Sequence, residues 1–299
     1  MIKISKSSFL KVFGRVFEAY ERKSGIFAEH SAEVSGPQHI HCPQGIERGS
    51  PDHLYWLALV AMSDRRTNSM VLYRNFAKMF GDNPSLFVRG VLLEVETVTV
   101  LFRTYKIALP VSEIAFFIER KRHLDECFRG DPLLIYDCVK NVSELMRKLK
   151  SIARSRGIGN IFPGAKEKIF CLLAMFLRKF SGLQFADVVP VDVWVQSISV
   201  STRVVKGKGR MSFGGLGKRL RPLMQKAFLP YLDVPGATDA TWILGKFGCT
   251  LCAGKDMTTL CPLYDICRGP FERPRNQVSN KHVGMVELPP KYKRRCSEK

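Results

Sequence analysis

Residues 157–196 read GIGNIFPGAKEKIFCLLAMFLRKFSGLQFADVVPVDVWVQ, and the expected fold turns on this stretch. Ile161 and Phe162 run into Pro163-Gly164. Glycine tolerates φ > 0 and lets the main chain come close to a partner, so a tight hairpin is expected here. Lys166, Glu167 and Lys168 lead into an apolar run over residues 169–177, which is helix length once its flanks are counted. Past Ser181-Gly182 the chain turns through Val189-Pro190-Val191 to Asp192. Pro190 favours an extended segment, and Asp192 is placed to cap a helix beginning at Val193 and Trp194. Orphan N–H groups and the helix dipole favour a charged carboxylate at such a position.

At FPGAKEK (residues 162–168) and VPVD (residues 189–192) the chain resembles the helix-hairpin-helix DNA glycosylases. In that superfamily the hairpin and a Gly/Pro-rich loop precede a catalytic Asp. VPVD is especially similar to the 8-oxoguanine glycosylases among them. Two features depart from the usual pattern: Lys166 stands where a second hairpin glycine is common, and the gap from hairpin to Asp192 is longer than in endonuclease III. The resemblance spans residues 51–268 and implies an all-α, two-lobed fold with the DNA cleft between its lobes.

Roles follow from that resemblance. Hairpin amides around Gly164 and Ala165, with Lys166 beside them, would grip a phosphate without reading sequence. Asp192 would stabilise oxocarbenium-like charge at C1′ or activate the nucleophile. The target nucleotide must leave the stack to be reached. If a lysine attacks C1′, a Schiff base forms and β-elimination can nick the strand. Gapless alignment on Pro163-Gly164 selects Lys168, the preferred residue, while alignment on the following apolar helix selects Lys166. An attacking amine must be neutral. Arg65, Thr67 and Asn68, in the turn between two apolar helices, would meet DNA or fill the gap left by a flipped base.

The second strong signal is Cys249-x2-Cys252-x8-Cys261-x5-Cys267. Four thiolates at such spacing can enclose a [4Fe–4S] cluster or a zinc ion. LCPLYDIC (residues 260–267) resembles the iron–sulfur loop of endonuclease III and MutY-type enzymes, whose spacing is C-x6-C-x2-C-x5-C. The last gap matches, but Thr258 occupies one family cysteine position, so Cys249 and Cys252 reach from further back. Iron–sulfur is preferred over zinc. Upstream, TWILGKFGC (residues 241–249) is similar to the closing helix before that loop. Cys171 reads as a packed core thiol, and Cys42, Cys127, Cys138 and Cys296 show no ligand spacing.

The chain has 299 residues, 45% of them hydrophobic, enough to bury a proper core. Lys and Arg total 47 against 27 acids, a net charge of +20, which points to a polyanionic partner with nucleic acid ahead of an anionic membrane. The first residues lack a signal-peptide core and no apolar run can span a bilayer, so an intracellular setting in the cytoplasm or nucleoid is expected. Nine cysteines there argue for free thiols or metal ligation over disulfides.

In linear order, the expected parts are an N-terminal helix and loop (1–50), a two-lobed core (51–248), a metal-cluster loop (249–268) and a basic, weakly packed tail (269–299). Helical spacing marks residues 9–20, 54–62, 69–80, 111–127 and 133–154; residues 91–108 are ambiguous and read as helix. His39, His41 and Cys42 form a His-x-His-Cys cluster that lacks a fourth ligand and reads as loop. Residues 206–221 (KGKGRMSFGGLGKRLR) read as a basic glycine-rich loop near phosphates and not as a nucleotide-binding loop. The expected function is excision of a damaged base from double-stranded DNA by a monomer, with AP-lyase activity and an oxidised purine such as 8-oxoguanine as the first substrate class. The competing readings are a monofunctional glycosylase acting on uracil or thymine mispairs, and a non-catalytic DNA-binding protein with a structural zinc.

Overall fold

The computed structural model describes residues 2–64, 68–206, 210–250, 252, 257, 259–267 and 285–287. The described chain is predominantly helical. Its helices run α1 (Lys6–Glu21), α2 (Ala32–Ser35), α3 (Pro37–Ile40), α4 (Pro51–Ser63), α5 (Ser69–Asp82) and α6 (Val95–Thr104). They continue as α7 (Val111–Phe128), α8 (Val142–Ser155), α9 (Glu167–Ser181), α10 (Val193–Ser201), α11 (Phe213–Phe228) and α12 (Ala240–Ile243). Four strands of two or three residues pair in twos: β1 (Lys3–Ile4) with β2 (Val205–Lys206), and β3 (Arg210–Ser212) with β4 (Met285–Glu287), both antiparallel. No helix among the described residues is long and apolar enough to cross a membrane.

By contact the chain divides into two units, one of residues 37–190 and the other of residues 1–36 with 191–299. The first is organised around α4. Ser50 caps it by accepting from the His53 N–H, Pro51 opens it, and every residue from His53 to Ser63 is buried. A helix apolar on all sides must be surrounded, and α7 and α9 pack against it. Phe76, Phe102 and Phe117 join α5, α6 and α7 through edge-on contacts with centroids 5.4–5.7 Å apart. His53, fully buried, accepts the Gly49 N–H at Nδ1 (3.1 Å) and packs against Trp56 and Phe180. Lys121 is also buried, but its ammonium has three acceptors: the carbonyls of Val88 (3.1 Å) and Val91 (2.6 Å), and Asp125 (3.0 Å). Tyr55 donates to the other Asp125 oxygen, so this buried charge is fully matched.

The other unit pairs α1 with α11. Phe9, Phe13, Val16 and Phe17 form the buried stripe of α1, and Phe17 meets Phe228 and Tyr231 at 5.3 and 5.4 Å. Tyr231 ties the pair by donating to the Gly14 carbonyl. Helix α10 lies against α11 and α12.

Three stretches differ from the sequence reading. The helix expected over 133–154 begins only at Val142. Asp131 instead caps a 3₁₀ turn, Pro132–Ile135, and Asn141 caps α8 by accepting from Glu144, which bonds back to Lys140 N–H and Asn141. The ambiguous 91–108 segment is helical over Val95–Thr104 alone. In the glycine-rich 206–221 stretch the loop is short: Ser212 accepts from Gly215 N–H and starts α11, so Gly214, Gly215 and Gly217 lie in that helix. Helix-interior glycine weakens a helix, and a Cβ at Gly217 would meet the Gln196 amide of α10 at 3.5 Å, an ordinary contact. Arg65, Thr67 and the tail outside 285–287 lie beyond the described residues.

Candidate functional site

The hairpin forms as its residues dictate. Gly164 takes φ +76°, in the left-handed region that favours glycine, and the Ala165 N–H closes the turn on the Phe162 carbonyl at 3.1 Å. The Phe162 N–H donates to Asn160 Oδ1 at 3.1 Å. The Phe162 ring is fully buried, stacked 5.6 Å from Phe128 and 6.0 Å from Phe170. Lys166 is the N-cap residue of α9 and Lys168 lies in its first turn; both side chains are exposed, so exposure does not choose between them. Among the described residues no acceptor faces the N–H of Gly164 or Lys166. Two main-chain donors at a helix start, with two lysines, suit an oxyanion.

What holds the hairpin was missed in the sequence. From α7, Arg120 Nε donates to the Pro163 carbonyl at 2.7 Å, while its Nη2 reaches Glu113 at 3.0 Å and its guanidinium lies over Phe116. His123 Nδ1 donates to the Ile161 carbonyl at 2.5 Å, and its Nε2 faces Arg122 Nη2 at 3.3 Å. A carbonyl only accepts, so the His123 proton sits on Nδ1 and Nε2 is the acceptor. Arg120 is 0% exposed and His123 4%, although both belong to the charged run Glu119-Arg120-Lys121-Arg122-His123. The one local signal was the set Phe116, Phe117 and Leu124 bracketing that run.

Asp192 belongs to the other unit and caps α10 as its position requires. One carboxylate oxygen, Oδ1, accepts from Trp194 N–H at 2.9 Å and Val195 N–H at 3.1 Å. Trp194 is half-buried and packs on Gly245; a Cβ there would stand 2.3 Å from its Cγ. Gly245 lies in a π-helical turn, Leu244–Cys249, that ends on the first cysteine of the cluster. Asn68, expected at DNA, is exposed and caps α5 through Met70 N–H.

The cysteine loop is folded by turns at its own ligands. Main-chain bonds run from Cys252 to Gly248, Cys261 to Met257 and Cys267 to Leu263, at 3.0, 2.9 and 2.7 Å. Gly25, at φ +59°, lies against the Leu260 carbonyl, which accepts from the Ile26 N–H and sets the chain entering Cys261. Arg15 of α1 makes two bonds to Asp265, 2.7 and 3.0 Å, and holds that carboxyl below its ordinary range. The four thiols enter one another's electrostatics: burial and repulsion from Cys261, Cys267 and Cys252 push Cys249 well up. Burial, with repulsion from Cys267 and Cys252, pushes Cys261 up to about 11, against the opposing pull of the Leu263 N–H and Arg15.

Four thiols within reach of one another's charge have the donor chemistry of a cationic centre, since a cation would favour their thiolate forms. Among the described residues no three His, Cys, Asp or Glu side chains are grouped closely enough to hold a metal ion. The two statements differ in reach: repulsion acts over several ångströms, whereas ligation needs about 2.3 Å. Cys249, Cys252, Cys261 and Cys267 are the residues that would hold the group, and its contribution would be to tie the loop to α12 and its π turn. At the other cluster, Cys42 donates to the Ile46 carbonyl and His39 Nδ1 meets Lys179 at 3.0 Å, so neither is arranged with His41 as a ligand set. No family model, curated protein or solved structure matches the chain.

Proposed function

We propose that the chain is a helix-hairpin-helix DNA glycosylase with AP-lyase activity, excising a damaged base, with an oxidised purine such as 8-oxoguanine as the first substrate class. The observation that carries this reading is the hairpin: Gly164 is left-handed, and among the described residues the N–H groups of Gly164 and Lys166 face no acceptor at the start of α9. Phosphate oxygens of duplex DNA supply what those donors lack. In this reading Asp192 faces developing positive charge at C1′ with the carboxylate that caps α10. The lysine, Lys168 or Lys166, bonds to C1′ as the base departs with the glycosidic electron pair. The amine gives up a proton, and breaking of the C1′–O4′ bond, with O4′ taking a proton, opens the sugar to a Schiff base. Loss of a C2′ proton then lets the 3′ phosphate leave by β-elimination. Cys249, Cys252, Cys261 and Cys267 would hold a [4Fe–4S] cluster, with zinc the alternative, in a structural role.

The test is borohydride trapping on duplexes carrying 8-oxoguanine, thymine glycol or uracil. A covalent adduct is expected, lost in Lys168→Gln and retained in Lys166→Gln, with Asp192→Asn binding DNA but releasing base at least about a hundredfold more slowly. The opposite lysine pattern would reassign the nucleophile to Lys166. Alkali-labile sites without an adduct would indicate a monofunctional enzyme, for which uracil and thymine mispairs are the substrates to try. One observation favours a second reading, a non-catalytic DNA grip: Asp192 already serves as a helix cap and both lysines are exposed. Duplex binding with neither product on any lesion would establish it.

A further inference from the structure

We propose that Arg120 and His123 are positioning residues that set the hairpin's phosphate-binding conformation from beneath; this rests on reading the hairpin as the DNA grip. Both reach past their own helix to main-chain carbonyls two residues apart, Ile161 and Pro163, on either side of the buried Phe162 ring. Pro163 brings no N–H and a nearly fixed φ, so its carbonyl is the one polar handle by which this corner can be held. Arg120 suits that task because a guanidinium is planar. Glu113 fixes one end of the fork and the Phe116 ring covers its face, so the Nε–H direction is set before the hairpin docks on it.

A buried ion pair is a weak source of stability compared with apolar packing of equal volume. What Arg120 and Glu113 supply is therefore direction. With carbonyls 161 and 163 turned toward α7 and that of Phe162 taken by Ala165, the Gly164 and Lys166 N–H groups are among the main-chain donors that no acceptor in the described residues occupies, and they are open to an anion.

The test compares the full chain with Glu113→Leu/Arg120→Met, which keeps volume and leaves no lone buried charge, and with Arg120→Lys and His123→Leu. Amide exchange of Phe162 and Ala165, whose N–H groups are bonded within the hairpin, is measured without DNA, and binding of an undamaged duplex is measured across salt. The double variant is expected to keep its unfolding transition while Phe162 and Ala165 exchange at least about tenfold faster. Its duplex affinity should fall about tenfold, and its salt slope should drop by about one, the loss of one phosphate contact. Arg120→Lys, which keeps the charge opposite Glu113 but not the fork, should fold and still bind weakly. A folded variant with wild-type exchange and wild-type salt slope would overturn the proposal. If the double variant fails to fold, Arg120→Lys decides by the same two readouts. If the wild-type chain binds no duplex, the glycosylase reading falls, while exchange at Phe162 and Ala165 still decides whether α7 positions the hairpin.

Discussion

His53 shows how one buried ring ties stability to pH. It lies in the first turn of α4, fully buried, and desolvation, with Arg48 and His39 nearby, holds it down at about 4 against an ordinary 6.5. Between those values the unfolded chain binds a proton that the folded chain refuses, so stability falls as the pH is lowered from about 6.5 to about 4. That gap is worth about 3 kcal/mol once His53 is protonated in the unfolded state and the folded state is forced to follow. His41, also lowered by burial, acts in the same direction. Urea unfolding at pH 7 and pH 4.5 should show the loss, and His53→Gln, which keeps an acceptor but takes no proton here, should flatten most of it. A pH-independent midpoint over this window would refute the assignment. At this scale the sequence was legible where chemistry is local: Gly164 had to be left-handed and Asp192 had to be a cap. Arg120 and His123 were illegible, because a charge inside a helix reads as solvated until the distant carbonyls that bury it are known.

Among the elements, the π turn Leu244–Cys249 couples two parts of one unit that the sequence kept apart. Gly245 gives the Trp194 ring its bed, and Trp194 N–H is one of the two donors on Asp192. Gly245→Ala should push that ring away and lower stability by about 2 kcal/mol, within the usual cost of overpacking. It should also slow base release in proportion to the disturbance of Asp192; chemical denaturation and single-turnover kinetics read the two effects separately. An unchanged denaturation midpoint would mean that Trp194 moves freely. Helix existence was readable from periodicity for α1, α4, α5, α7 and α9, each with a strong apolar pattern. The start of α8 was not readable, because Asn141 chose the boundary against a pattern that continued on either side, and Ser212 caps α11 inside the stretch read as a glycine-rich loop.

For the whole chain, the net charge of +20 would make binding to a polyanion, DNA in the proposed reading, depend steeply on salt. If the duplex is gripped through about six phosphates, raising salt from 50 to 200 mM should weaken non-specific binding by about a thousandfold. A near-flat salt series by fluorescence anisotropy would remove polyanion binding from the functional reading. The helical class was legible. The grouping of residues 1–36 with 191–299 was not, because no local pattern says that α1 belongs beside α11.

That grouping has a consequence in time. Residues 37–190 are one uninterrupted segment and can complete their contacts as soon as they leave the ribosome. Helix α1 emerges before α11 and must wait for it, and at ordinary translation speed residues 22–212 take roughly 10–40 s to make. Through that interval Phe9, Phe13 and Phe17 have no permanent cover. A helix made long before its partner must thus wait for it, and a newborn chain released before residue 213 would carry its stickiest face uncovered.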